Sequence, residues 1–168
     1  MVTSSSSSLF TGRALDQIPV LRKFARRRVS SYDRTGGNLD FLIIAPGEKK
    51  TIFDVEGPGC ITHIWSTQAA MGAPFFPRHV IIRMWWDHEE HPSVECPLGD
   101  FFGLGHGERI NFCSAPLQMS PQSGKGMNCW WPMPFRKHAR IEIENDNPQS
   151  WTLDPEKLLR KKPGMNLS

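Results

Sequence analysis

Acidic side chains at the end of one apolar run are the residues whose types and spacing could do chemistry. The run ends in two adjacent tryptophans, and Asp87, Glu89 and Glu90 follow directly. Glycosidases use two carboxyl groups, about 5 to 5.5 Å apart in retaining enzymes and about 6.5 to 9.5 Å apart in inverting ones. Residues two apart in a strand share one face at roughly 6 to 7 Å, so Asp87 and Glu89 fit if the strand extends that far. Exposed hairpin tips have the same composition, and we favour that interpretation.

Two histidines in the same segment, His88 and His91, raise the alternative of a metal site. The zinc-protease pattern needs histidines four positions apart on a helix, so that both rings reach one ion. Here the spacing is three, and Pro92 follows a strand-like run. The segment therefore predicts a polar hairpin tip, and we expect no metal and no other cofactor.

A second polar segment, SSYDRTGGN at positions 30–38, precedes the strand-like part of the chain. Its hydrogen-bonding side chains are Tyr32, Asp33, Arg34, Thr35 and Asn38. The two glycines between Thr35 and Asn38 let the backbone turn sharply. The segment fits a clamp for sugar hydroxyls and equally an ordinary polar loop, in which Asp33 and Arg34 satisfy local backbone groups.

Composition excludes several classes of protein. A chain of 168 residues with a net charge of +3 fits one domain and gives no general reason to expect a nucleic-acid partner. No stretch is apolar for long enough to span a membrane, and no signal peptide is visible. The four cysteines lack metal-binding spacing and are expected to be reduced thiols. We therefore expect a cytoplasmic protein.

The elements that position these residues are short strands. With 14 Gly and 14 Pro, the chain favours turns over long helices. Strand-like runs occupy 39–45, 49–57, 60–67, 78–86, 93–96, 109–114, 127–131 and 139–144. In the fourth run, Val80, Ile82, Met84 and Trp86 should share one face of a sheet, and the residues between them should lie on the other face. The pattern predicts an all-β fold, an antiparallel β-sandwich of jelly-roll type, over residues 29–147. We expect a flexible segment with a short helix or arm at 1–28 and a basic tail outside the core at 148–168.

Four ordered blocks of sequence resemble one known family. They are SSYDRTGGN at 30–38, EGPGCITHIW at 56–65, HPSVECPLGDFFGLGHG at 91–107 and GMNCWWPMPFRKHARIEIEN at 126–145. Together they are similar to glycoside hydrolase family 172, formerly a domain of unknown function. The resemblance covers residues 27–147. That family includes enzymes that act on difructose dianhydride and enzymes that remove arabinofuranosyl residues.

The resemblance implies two consecutive jelly rolls per protomer, assembled into trimers or hexamers. It also implies retaining furanoside chemistry through two glutamates of the second jelly roll, in segments similar to GEGDD and GTEDYF. Neither segment occurs in this sequence, so we expect no catalytic residues here. The chain would be the N-terminal half of a furanoside-acting glycoside hydrolase, inactive alone and prone to self-association.

The same resemblance assigns the polar segment a substrate-binding role. Tyr32, Asp33, Arg34, Thr35 and Asn38 would contact a fructofuranosyl or arabinofuranosyl sugar, in a pocket that neighbouring protomers complete. For the tryptophans we expect packing between sheets or at an interface: Trp65, Trp85, Trp86, Trp130 and Trp131. One alternative is a non-catalytic carbohydrate-binding or capsid-like assembly module. Another is hydrolysis by the local carboxylates, Glu89 and Glu90.

Overall fold

A computed structural model describes residues 25–68 and 76–147. The helix or arm and the basic tail expected outside the domain fall beyond these ranges, apart from residues 25–28, which are exposed and have no helical structure. No helix in the described part is long and apolar enough to cross a membrane.

Ten short strands form most of the regular secondary structure in the described residues, and every pairing between them is antiparallel. The strands are β1 (Lys49–Glu56), β2 (Gly59–Ile61), β3 (Ile64–Thr67), β4 (Val80–Trp86), β5 (Val94–Pro97), β6 (Phe112–Cys113), β7 (Leu117–Met119), β8 (Gly126–Cys129), β9 (Met133–Phe135) and β10 (His138–Asn145). One α-helical turn, α1 (Leu98–Phe101), follows β5, and two 3₁₀ turns lie at Phe76–Arg78 and Gly105–Gly107.

Two four-stranded sheets carry the core. The first sheet has the order β1-β10-β4-β5 and the second β3-β8-β7-β6, while β2 and β9 form a separate pair. Alternation along β10 turns Ala139, Ile141 and Ile143 inward and leaves charged residues on the other face. Ile141 and Ile143 meet Met119, Met127 and Cys129 of the second sheet in one buried cluster, because the facing sides of the two sheets are apolar.

The all-β, antiparallel sandwich predicted from the sequence is confirmed. The strand centred on Ile82 and Met84 has the predicted faces, since Val80, Ile82 and Met84 are buried and Trp86 packs against the core. The jelly-roll connectivity and the domain boundaries stay predictions. Strands β7 and β9, of three residues each, were not predicted.

The strand predicted at 39–45 is wrong. These residues form no strand, and Leu39, Phe41, Leu42 and Ile43 are between 40 and 52% exposed. Two backbone carbonyls of the run accept side-chain donors, since Lys50 Nζ donates to the carbonyl of Ile43 and Asn145 Nδ2 to that of Ile44. This apolar run lies at the surface and forms no strand, because side chains, and not a neighbouring strand, donate hydrogen bonds to its backbone carbonyls.

Candidate functional site

The polar segment at 30–38 is a loop organised by one carboxylate. Asp33 accepts hydrogen bonds from the backbone N–H and the hydroxyl of Thr35, at 2.8 and 2.7 Å, and from the N–H of Leu39 at 3.3 Å. The N–H of Asp33 itself donates to Asp40 at 2.7 Å. The Thr35 hydroxyl, followed by these backbone donors, lowers the pKa of Asp33. Asp33 and Thr35 therefore hold the loop in shape, as an ordinary polar loop would need.

The remaining predicted residues of this loop face outward. The Arg34 guanidinium lies 5.8 Å from the centre of the Tyr32 ring, within the range of a cation–π contact. Tyr32 is 58% exposed, and Asn38 occupies the left-handed region at φ 64°. The loop thus presents an exposed aromatic ring with a cation over it.

The acidic segment after β4 is a hairpin tip, as predicted. The strand ends at Trp86, and Asp87 and His88 have φ values of 54° and 66°, so Asp87 and Glu89 do not share a strand face. One oxygen of Asp87 accepts backbone hydrogen bonds from Arg136 at 2.8 Å, Lys137 at 2.6 Å and His138 at 3.3 Å. These donors, that of Lys137 foremost, lower the pKa of Asp87, which disfavours the protonated form that a general acid needs.

A group of nitrogen and carboxylate side chains lies beside this tip, where β1 and β4 end and β10 begins. Glu56 and His138 are directly opposite in the ladder of β1 and β10. The N–H of Asp87 donates to the carbonyl of His138 at 2.7 Å, and this bond brings the following residue, His88, over the same edge. One potential metal-binding atom from each of Glu56, His88 and His138 lies within 4.8 Å of the other two. We call these three residues the sheet-edge cluster.

His138 is the buried member of the sheet-edge cluster. Its ring stacks on that of His88 with centroids 4.6 Å apart, and the residue is 9% exposed. Its Nε2 lies 2.8 Å from Oδ1 of Asp54, whereas its buried Nδ1 has no hydrogen-bond partner among the described residues. An unsatisfied buried polar atom costs about 1 to 3 kcal/mol. Among the described residues, Nδ1 of His138 therefore lacks a hydrogen-bond partner.

The outer face of the first sheet carries a charge network around Arg83. Its guanidinium contacts Glu144, lies 3.0 Å from Glu95 and reaches Glu142 at 4.0 Å. Burial alone would lower the pKa of Arg83, but the hydrogen bonds that its guanidinium donates to Glu144 and Glu95 outweigh burial and raise that pKa. These carboxylates are engaged in ion pairs, which favours a structural role for the network.

The outer face of the second sheet is aromatic. Trp65 and Asn128 are opposite each other in the ladder of β3 and β8. The His63 ring stacks on Trp130 at 5.1 Å, and its Nε2 lies 3.1 Å from Oδ1 of Asn128. We call His63, Trp65, Asn128 and Trp130 the aromatic face. Trp65 is 60% and Trp130 is 40% exposed.

Packing between the sheets was predicted as one of two roles for the tryptophans, and within the described chain it holds for Trp86 alone. Trp65, Trp130 and Trp131 are exposed, because their positions place them outside the sandwich. Trp85 lies on the outer face of the first sheet under the Arg140 guanidinium, at 4.0 Å. The other role, packing at an interface with another chain, stays a prediction for these four.

The sequence patterns did not predict the sheet-edge cluster or the aromatic face. Asp54 and His138 are 84 positions apart, and His63 and Asn128 are 65 apart, so only strand register brings them together. No local motif marks either group. Only an indirect indication of the sheet-edge cluster was present in the sequence: Glu56 lies next to the end of one strand-like run, and His138 directly precedes another.

Comparison with known families confirms the family resemblance predicted from the sequence. No curated protein matches this chain. The profile of a family described as GH172 domain-like matches residues 39–158, which is well over half of the chain and includes every strand described above. The chain belongs to the GH172 domain-like family.

Proposed function

We propose that this chain is a non-catalytic, carbohydrate-contacting module of a furanoside-acting glycoside hydrolase. Family membership supports a role related to glycoside hydrolases. The observation that carries the finer proposal is the loop at 30–38, where Tyr32 and Arg34 stand together above a carboxylate-organised turn. An aromatic ring beside a guanidinium offers a sugar one apolar surface and several hydrogen-bond donors.

Within the proposed module, the residues of the loop divide into two roles. Tyr32, Arg34 and Asn38 contact the sugar, whereas Asp33 and Thr35 fix the backbone that presents them. Asp87 is held ionised by three backbone donors, and Glu89 accepts the hydroxyl of Ser93. Asp87 and Glu89 are therefore engaged in hydrogen bonds within the protein, which supports binding without turnover by this chain alone.

A titration of the 168-residue chain with fructofuranosyl and arabinofuranosyl oligosaccharides tests the proposal. We expect saturable binding by calorimetry and no release of reducing sugar. Tyr32→Ala and Arg34→Ala should each weaken binding about tenfold, equivalent to ~1.4 kcal/mol. Arg136→Ala, which removes an exposed arginine elsewhere, is the matched control. Undetectable binding of either sugar class, or equal weakening by the control, would contradict the proposed role of the loop.

The same assay distinguishes hydrolysis by the local carboxylates from binding without catalysis. Turnover that disappears in Glu89→Gln or Glu90→Gln would replace the non-catalytic proposal with an enzymatic one. Turnover unchanged in both variants would point to carboxylates outside the hairpin tip.

Assembly is a second candidate function, favoured by apolar side chains on the surface. Leu39, Phe41, Leu42 and Ile43 are each at least 40% exposed within five consecutive positions, and contiguous apolar surface of this kind marks interaction sites. Self-association of the chain follows from this arrangement. Sedimentation should show an oligomer that Leu42→Ser and Ile43→Ser dissociate, while Ile110→Ser, at an isolated exposed position, leaves it intact. A stable monomer at all concentrations would exclude this function for the isolated chain.

A further inference from the structure

We propose that the sheet-edge cluster binds a divalent transition-metal ion, zinc by preference, through Glu56, His88 and His138. Residues at or just beyond the ends of three adjacent strands supply one ligand each, and one candidate atom of each residue, with either ring nitrogen counted for a histidine, lies within 4.8 Å of the other two. Two imidazoles and one carboxylate form the donor set found in zinc sites with an open fourth position. Imidazole donors disfavour calcium and magnesium, which prefer oxygen ligands.

The unpartnered nitrogen of His138 is the independent observation that points to a ligand. Asp54 lies at hydrogen-bonding distance from Nε2, so an ionised Asp54 places the ring proton on Nε2. The lone pair then lies on Nδ1, which is buried and meets no donor among the described residues. A metal ion supplies the missing partner. A carboxylate that accepts the other ring N–H of a ligating histidine is the usual second shell of such sites.

Charge and exposure agree with this assignment. The Glu56 carboxylate and the Asp54 carboxylate together balance the two positive charges of the ion, while neutral imidazoles add none. The side chains of His88 and Glu56 are 54% and 72% exposed, which leaves an entry path and room for water or a ligand oxygen in the fourth position. The site is therefore anchored by the buried His138 and completed by two side chains at the surface.

Binding requires a small rearrangement of the exposed ligands. Bond lengths near 2.1 Å place tetrahedral ligand atoms about 3.4 Å apart, so the widest separations must close by about 1 Å. His88 also has to turn out of its parallel stack on His138, because a metal ion lies in the plane of each imidazole that binds it. Its exposed position in a turn permits this rotation, whereas His138 stays fixed by Asp54.

A zinc titration of the chelator-treated 168-residue chain tests the proposal without any sugar, so it stands or falls independently of the proposed function. We expect one equivalent of zinc by calorimetry. We also expect a visible spectrum of bound cobalt(II) typical of nitrogen and oxygen ligands. His88→Ala and Glu56→Gln should each weaken binding at least tenfold, and His91→Ala, the nearby exposed histidine, should not. Asp54→Asn, a change to a positioning residue, should weaken it about 10- to 100-fold.

Several outcomes would overturn the assignment. They are a wild-type chain that binds no zinc, binding retained in both His88→Ala and Glu56→Gln, and thiolate-to-cobalt charge-transfer bands that place the ion on exposed Cys60 or Cys113. Far-UV circular dichroism confirms that each variant is folded. If His88→Ala were unfolded, Glu56→Gln decides the question, since its side chain is mostly exposed and has no packing role to lose.

Discussion

Removal of Arg83 should destabilise the protein far more than removal of an exposed cation that contacts the same carboxylate. Arg83 and two of its partners, Glu142 and Glu144, have side chains only 15 to 17% exposed. Arg83→Ala leaves those two carboxylates next to each other on the outer face of the first sheet without their shared cation. Lys49→Ala also removes a partner of Glu144, at 3.7 Å, but Lys49 is 54% exposed.

The low exposure of Arg83, Glu142 and Glu144 determines how much stability the Arg83→Ala substitution should cost. Breaking a fully buried ion pair costs about 3 to 5 kcal/mol, and exposed pairs contribute about 0 to 1 kcal/mol. The network around Arg83 lies between these cases and nearer the first, so we expect Arg83→Ala to lower the free energy of unfolding by about 2 to 3 kcal/mol. At about 4 °C per kcal/mol for a domain of this size, the melting temperature falls by roughly 8 to 12 °C. Lys49→Ala should cost less than about 1 kcal/mol.

Urea denaturation followed by tryptophan fluorescence measures both changes, with an unchanged dependence of the unfolding free energy on urea as the check for two-state behaviour. The double variant Arg83→Met with Glu144→Gln removes opposite charges together and should recover most of the loss, because a neutral pair carries no uncompensated charge. The reasoning is refuted if Arg83→Ala costs no more than Lys49→Ala, or if the double variant is less stable than Arg83→Ala.

Three further predictions concern the turn and the core. The pKa of Asp87 is lowered in the folded state, so the carboxylate stabilises the fold above its unfolded pKa of about 3.9, and this contribution is lost as the pH falls through the folded pKa. Asp87→Asn should therefore be less stable than the wild type at pH 7, and in urea titrations the difference should shrink as the pH falls below about 3.9; a constant difference down to low pH would contradict the assignment. Phe102→Ala, at a fully buried position, should lower the free energy of unfolding by about 3 to 5 kcal/mol, and a loss below about 1 kcal/mol in urea would show that the side chain is not in a packed core. Gly99→Ala should lower the melting temperature, because a Cβ at Gly99 meets Pro77 Cβ at 2.6 Å, whereas Gly105→Ala, with nothing within 4 Å, should leave it nearly unchanged; equal effects would contradict the close packing.

The fold could be predicted wherever a strand shows its alternation directly. Ala139 to Asn145 alternates between apolar and polar residues, and Val80 to Trp86 is apolar except for Arg83; both are long strands of the first sheet. The run at 39–45 carries the same composition without a strand partner, and its apolar side chains are exposed. Composition identifies a residue that can enter a strand, but the available hydrogen-bond partners decide whether it does.

The candidate sites were predictable only where they are local. The loop carboxylate Asp33 accepts hydrogen bonds from residues close in sequence, and the hairpin tip at Asp87 was predicted from local composition, although the donors to Asp87 lie 49 to 51 positions away. The sheet-edge cluster depends on register between β1 and β10, and the aromatic face on register between β3 and β8. A shift of one position in either ladder would separate these residues, and no single-sequence pattern encodes register across such distances.

The central place of β10 in the first sheet has a consequence for synthesis of the chain. Its partners, β1 and β4, are translated long before it, so until residue 145 leaves the ribosome each has an open hydrogen-bonding edge on that side. Non-local pairing of this kind slows folding, and unpaired apolar strands promote aggregation in the interval. The nascent chain therefore depends on its last described strand to close the sheet, and expression at low temperature or with a chaperone should raise its soluble yield.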